Sequence, residues 1–73
     1  PVTIGRDPDC GFFLNNMTVS REHAIIERHG KQVFIRDCES LNGTWVDGKV
    51  VSEAELVDGS LVQIGTFSMR FSC

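Results

Sequence analysis

The apolar residues of this chain fall in short runs, each closed by a turn-forming residue. Residues 2–4 run into Gly5, and residues 12–14 run into Asn15-Asn16. Residues 23–28 carry Ala24, Ile25 and Ile26 before His29-Gly30 turns the chain. Residues 31–37 return with Val33, Phe34 and Ile35, so the two segments predict a hairpin. Asp47-Gly48 stands between the strand candidates 44–46 and 49–51. That dipeptide suits a two-residue hairpin turn, because both of its positions need positive φ. Asp58-Gly59 and Gly65 bracket a further strand at 61–64. The last run alternates, with Phe67, Met69 and Phe71 on one face and Ser68, Arg70 and Ser72 on the other, the period of a half-buried strand. The single helix signal is the capping-box spacing of Ser52 and Glu55. The segment before Asp58-Gly59 is too short for a stable helix, so it reads as a loop with one helical turn. Many short strands with glycine turns predict an all-β fold, an antiparallel sandwich of two sheets.

Composition narrows the picture. With 73 residues the chain is one small domain with a modest core, which disfavours an enzyme needing a deep cleft. Hydrophobic residues at 41% and charged residues at 23% fit a globular protein rather than a disordered segment or a coiled coil. A net charge of −3 argues against nonspecific nucleic-acid binding, which runs on a basic surface. No apolar stretch is long enough to span a membrane, so no membrane partner is expected. No charged-then-apolar leader opens the sequence, so no export signal is expected, and the chain reads as a piece of a longer protein. Cys10, Cys38 and Cys73 lack both the even count of a disulfide framework and the spacing of a zinc site. They leave room for one disulfide but read as reduced thiols in a cytoplasmic protein. No metal and no cofactor is expected.

The chemistry gathers in three loops. They are Gly5-Arg6-Asp7-Pro8, the segment from Thr18 to His23, and the segment from Glu39 to Thr44. Between them they supply arginine, serine, threonine, asparagine and histidine donors beside glycine. Donors of this kind suit an anion: arginine offers a planar fork that matches phosphate oxygens, hydroxyls and amides add neutral bonds, and glycine lets backbone N–H groups come close. Taken singly each loop is an ordinary turn. Ser20 with His23, joined by Asp37, also has the residue types of a nucleophile and its base. On a strand, residues three apart point to opposite faces, so that pair would meet only if Ser20 lay in a loop.

Taken in order, Gly5-Arg6, then Ser20-Arg21-Glu22-His23 in the form S-x-x-H, then Asn42-Gly43-Thr44, the three loops resemble the forkhead-associated (FHA) domain. Val46-Asp47-Gly48 and the tail from Leu56 to Gly65 extend the resemblance over nearly the whole chain. T-V-S-R-x-H-A, S-L-N-G-T and V-Q-I-G make it most similar to small actinobacterial FHA proteins. Asp47 replaces the family's usual asparagine and Ser60 an acidic residue, both at turns. The resemblance implies a β-sandwich whose edge strands before the Gly-Arg loop are missing from this chain. It also implies a phosphothreonine-peptide-binding module, not an enzyme, acting in signalling downstream of Ser/Thr protein kinases.

By that resemblance, Arg6 and Ser20 meet the phosphate, Arg21 adds a contact or a favourable field, and Asn42 holds the peptide backbone. Leu41 would serve through its backbone N–H. Gly5 and Gly43 would allow tight turns, His23 would lock the loops, and Ser40 and Thr44 would be hydroxyls pairing loop backbone. A small pocket by the Asn42 loop would take the threonine methyl. The implied partner is a phosphothreonine-containing protein, with a phosphosite in the parent chain as one alternative. Two other readings stand beside this one: a phosphate-independent scaffold using a sandwich face or edge, and a small hydrolase built on Ser20 and His23.

Overall fold

The computed structural model describes residues 1–72. Cys73 lies outside them, so the expectation for its thiol is not addressed. Among the described residues nine strands form two sheets: β1 Val2–Gly5, β2 Phe12–Phe13, β3 Ala24–His29, β4 Gln32–Asp37, β5 Thr44–Val46, β6 Lys49–Val51, β7 Glu53–Leu56, β8 Leu61–Ile64 and β9 Phe67–Arg70. One sheet has the order β2-β1-β3-β4-β7 and the other β6-β5-β8-β9.

Local sequence dictates the hairpins. β3 and β4 pair antiparallel from Ala24↔Asp37 to His29↔Gln32, closed at Gly30, whose φ is 67°. β5 and β6 meet at Asp47-Gly48, where both residues are left-handed (φ 51° and 82°), as a two-residue hairpin turn requires. Strand alternation sets the core. Ile4, Ala24, Ile35 and Leu56 of one sheet face Val46, Val62 and Ile64 of the other, with Val19 and Leu14 inserted from a loop. Phe67, Met69 and Phe71 pack against this cluster, as their period of two predicts.

Two departures from the sequence reading have physical causes. Residues 53–56 form a strand rather than a loop with one helical turn. Ala54 and Leu56 turn inward and Glu53 and Glu55 outward, and the segment pairs with β4 from Val33↔Leu56 to Arg36↔Glu53. Four residues cannot sustain a helix, whereas the open edge of β4 offers them a ladder. Second, the sandwich is not wholly antiparallel: β2 runs parallel to β1, Ile4↔Phe12 and Gly5↔Phe13. A turn with the Cys10 N–H on the Asp7 carbonyl (2.9 Å) folds the chain back so that Phe12 re-enters beside Ile4 in the same direction.

Candidate functional site

β1 ends, and β3 and β5 begin, at the same end of the sandwich, so the three loops singled out in the sequence converge there. Backbone bonds join the first two. The Arg6 N–H donates to the Ser20 carbonyl (3.0 Å) and the Asp7 N–H to the Arg21 carbonyl (3.2 Å). This zipper explains Gly5. It sits at the end of β1 without a positive φ, so its role is close approach rather than the tight turn expected of it. A Cβ there would collide with the Arg21 carbonyl.

Arg6 then bonds through Nε to the carbonyl of Val19 (3.1 Å). Val19 is a core residue, so the guanidinium is anchored at its root, at the edge of a cleft that Arg6 helps to line. Ser20 lies in the loop before β3. Its Oγ accepts the Leu41 N–H (3.0 Å), which leaves the hydroxyl proton without a partner among the described residues. The Leu41 N–H, expected to serve an anion directly, therefore holds Ser20. Asn42 donates from Nδ2 to the Thr18 carbonyl (2.8 Å), tying the third loop to the second. Arg21 is exposed and stands 3.9 Å from the Asp7 carboxylate, a weak surface pair. Arg6, Ser20, Arg21, Leu41 and Asn42, with Met17 and Thr18, line one cleft of about 200 Å³.

Below the cleft lies a buried polar layer. His23 is fully buried. Its Nδ1 accepts the Ser20 N–H (3.1 Å), and its Nε2 lies 2.7 Å from the Gly43 carbonyl. An N–H on one side and a carbonyl on the other fix the Nε2–H tautomer and use both ring nitrogens. Asp37, at the end of β4, gathers the third loop. One carboxylate oxygen takes the hydroxyls of Ser40 and Thr44 (2.7 Å from Thr44), and the other takes the Ser40 N–H (3.1 Å). The Ser40 Oγ also accepts the Gly43 N–H (3.0 Å). Ser40 thus pairs loop backbone as expected, while the Thr44 hydroxyl goes to a carboxylate. Burial alone would raise the Asp37 pKa, but the bonds from Ser40 and Thr44 outweigh it and hold the carboxyl below its ordinary value of 3.8. Gly43 takes φ 84° and packs against Trp45, whose Nε1 donates to the Asn42 carbonyl (3.2 Å).

Ser20, His23 and Asp37 form no proton relay. The Ser20 backbone occupies His23 Nδ1, Gly43 occupies Nε2, and Asp37 holds Ser40 and Thr44. Sequence reasoning assigned Asp37 only to that relay and passed over its role as the hub of the third loop. The available signal was the turn pattern of an aspartate three residues before a serine. It also left out Asn16, whose side chain accepts the Thr18 N–H (2.9 Å) and hydroxyl, and Gly65, where a Cβ would strike Thr18. Cys10 and Cys38 are free thiols, and no cluster of metal-ligating residues occurs among the described residues.

Among known proteins, residues 2–65 match the family model of the FHA domain. The chain is 45% identical over 69 residues to the glycogen accumulation regulator GarA of Mycolicibacterium smegmatis, covering 94% of this chain and 44% of that protein. It is 43% identical over 67 residues to an oxoglutarate dehydrogenase inhibitor of Corynebacterium jeikeium, covering 92% of this chain and 46% of that one. It therefore spans less than half the length of either relative. The structure of Mycobacterium tuberculosis EmbR in complex with a low-affinity phosphopeptide superposes with a TM-score of 0.95 at 33% identity, over 97% of this chain and 19% of that chain. With the family match extending over both sheets and all three loops, the chain belongs to the FHA domain family.

Proposed function

We propose that this chain is a phosphothreonine-peptide-binding module that mediates phosphorylation-dependent contact between proteins, downstream of Ser/Thr protein kinases and without catalysis of its own. The observation that carries the reading is the pairing of Arg6 with Ser20: a guanidinium pinned by its Nε and a hydroxyl pinned by its acceptor side, both in one cleft. A phosphate at pH 7 carries about −1.5 to −2 charges on strong acceptor oxygens, which this pair complements. Arg21 adds positive potential, and Asn42 presents its remaining amide groups to the peptide backbone. Leu41 acts on the phosphate through Ser20. His23, Ser40, Gly43, Thr44 and Gly5 hold these groups in place.

Two or three charge-assisted bonds at about 1.5–3 kcal/mol each, less the cost of ordering a peptide, give an affinity on the order of micromolar. The partner is a phosphothreonine-bearing protein, and the site of action is the cytoplasm. The net charge of −3 supports a protein rather than a nucleic-acid partner. A larger apolar cleft, about 410 Å³ and lined by residues that include Phe12, Val62, Met69 and Phe71, opens between the sheets; β9 is an edge strand. A further strand from a longer parent chain, pairing with β9, would cover it.

The test is calorimetric titration of three matched peptides carrying phosphothreonine, phosphoserine or glutamate. The β-methyl of threonine is worth about 0.8 kcal/mol by burial, and its branching lowers the ordering cost. Phosphothreonine is expected to bind roughly ten- to a hundredfold tighter than phosphoserine, and glutamate not to bind. Equal binding of a phosphorylated and an unphosphorylated peptide would instead establish the phosphate-independent scaffold.

A further inference from the structure

Thr44 opens β5 and pairs with Ile64, the last residue of β8, so the turn from β8 to β9 lies at the same end of the sandwich as the three loops. This fourth loop, Gly65-Thr66, reaches Thr18. The Thr66 N–H donates to Thr18 Oγ1 (3.1 Å), and that hydroxyl in turn donates to Asn16 Oδ1. The same Asn16 oxygen accepts the Thr18 N–H (2.9 Å). Gly65 lies flush against this segment: a Cβ on it would strike Thr18 Oγ1 and press on the Thr18 carbonyl oxygen. Thr18 is therefore held from two sides, and its carbonyl is the acceptor of Asn42 Nδ2 (2.8 Å). The next carbonyl along the chain, that of Val19, holds Arg6 (3.1 Å) and is fixed separately, by the Val19 side chain in the core.

We propose that the β8–β9 turn is a buttress of the binding end and that Thr18 is a positioning residue, its hydroxyl carrying the support of that turn to Asn42. This rests on the phosphothreonine reading and deepens it. Any residue has a carbonyl to offer Asn42. What threonine adds is a hydroxyl that donates to Asn16 and accepts from Thr66 at once, which fixes where the carbonyl stands. One amide N–H of Asn42 is thereby committed, and the orientation of its remaining oxygen and N–H is set before a peptide arrives. Without the hydroxyl the turn and the loop part company, and Asn42 must be ordered at the moment of binding. Arg6 keeps its own anchor on Val19, so the loss falls on Asn42 alone.

The experiment uses the full chain and one phosphothreonine peptide, with affinities measured by calorimetry well below the melting point of each variant. Thr18→Val keeps the branched shape and removes the hydroxyl, and it is expected to weaken binding about tenfold. Thr18→Ser restores the hydroxyl and is expected to bind within about twofold of the parent. Asn16→Ala removes the acceptor of that hydroxyl and should weaken binding in the same direction, which keeps the test open if Thr18→Val does not fold. In an N42A background Thr18→Val is expected to change affinity by a factor of about one, a coupling that a merely structural loss would not show. The buttress is overturned if Thr18→Val and Asn16→Ala bind like the parent, if Thr18→Ser is as weak as Thr18→Val, or if Thr18→Val costs the same factor with and without Asn42. If the parent binds the phosphorylated peptide no better than its unphosphorylated form, the phosphothreonine reading falls and the buttress with it. If phosphorylation matters but the hydroxyl does not, the buttress alone falls.

Discussion

At the end of the sandwich where β3 and β5 begin, long irregular loops are held by a buried histidine and by Asp37, which takes two hydroxyls and an N–H. At the opposite end the chain reverses through tight turns, Gly30 between β3 and β4 and Asp47-Gly48 between β5 and β6, with backbone dihedrals supplied by the turn residues themselves. Tight turns fold on local information and leave little surface to vary. The irregular end needs side chains from distant segments to satisfy one another, and in exchange it presents donors at chosen positions. Within it, floor and rim divide the work: His23 and Asp37 fix geometry, whereas Arg6 and Ser20 line the cleft and are the groups proposed to meet the phosphate.

The largest effect should come from the floor. His23→Ala leaves the Ser20 N–H and the Gly43 carbonyl without partners and opens a cavity among buried atoms. Each orphaned group costs about 1–3 kcal/mol, so a loss of roughly 3–5 kcal/mol of stability is expected. For a domain of this size that is a large part of the total. Urea unfolding measures it. A variant that melts like the parent yet fails to bind would move His23 from the floor to the rim.

Arg6→Ala tests the rim. The anchor on Val19 is lost along with the fork, yet the side chain is exposed, so unfolding should barely shift. Affinity for a phosphothreonine peptide should fall by about 2–4 kcal/mol. Retention of full affinity, measured by calorimetry against the same peptide, would remove Arg6 from the phosphate.

The contrast between the ends also explains what could be read from sequence. The hairpins at Gly30 and Asp47-Gly48 were legible because their signals are local, and the alternation of Phe67, Met69 and Phe71 named its own inward face. The three binding loops were legible only as an ordered set. β7 was hidden because Ser52 and Glu55 imitate a helix cap, and only its partner strand decides otherwise. Asp37 was hidden because its role depends on Ser40 and Thr44 returning to it through Glu39, a residue at φ 55° that nothing in a glutamate announces. Gly5 and Gly65 were read as turns because the segments they make room for are remote in the chain.

Asp37→Asn sharpens the division within the floor. The asparagine oxygen can still accept both hydroxyls, but its NH2 would face the Ser40 N–H, donor against donor. A loss of about 1.5–3 kcal/mol near neutral pH is expected. The acid profile should change too. The folded-state pKa of Asp37 lies below its ordinary value of 3.8, so its contribution is present above that value and disappears as pH falls through the lowered one. Removing the carboxylate should flatten the stability curve in that acidic window. An unchanged slope, from melts across acidic pH, would mean that other carboxylates govern acid unfolding.

The smallest effect belongs to the far end. Gly48 takes φ 82°, and a Cβ there would meet no atom within 4 Å, so Gly48→Ala carries a purely conformational penalty. A left-handed alanine costs about 1–2 kcal/mol, a fall of roughly 5–10 °C in melting temperature for a domain of this size. Affinity should not change, because the turn lies at the other end of β5 from the Asn42-Gly43 loop and touches no group of the cleft. Calorimetry well below the melting point separates the two quantities. If affinity fell in step with stability, strain at the turn would be reaching the loops through β5, and the two ends would behave as one cooperative unit.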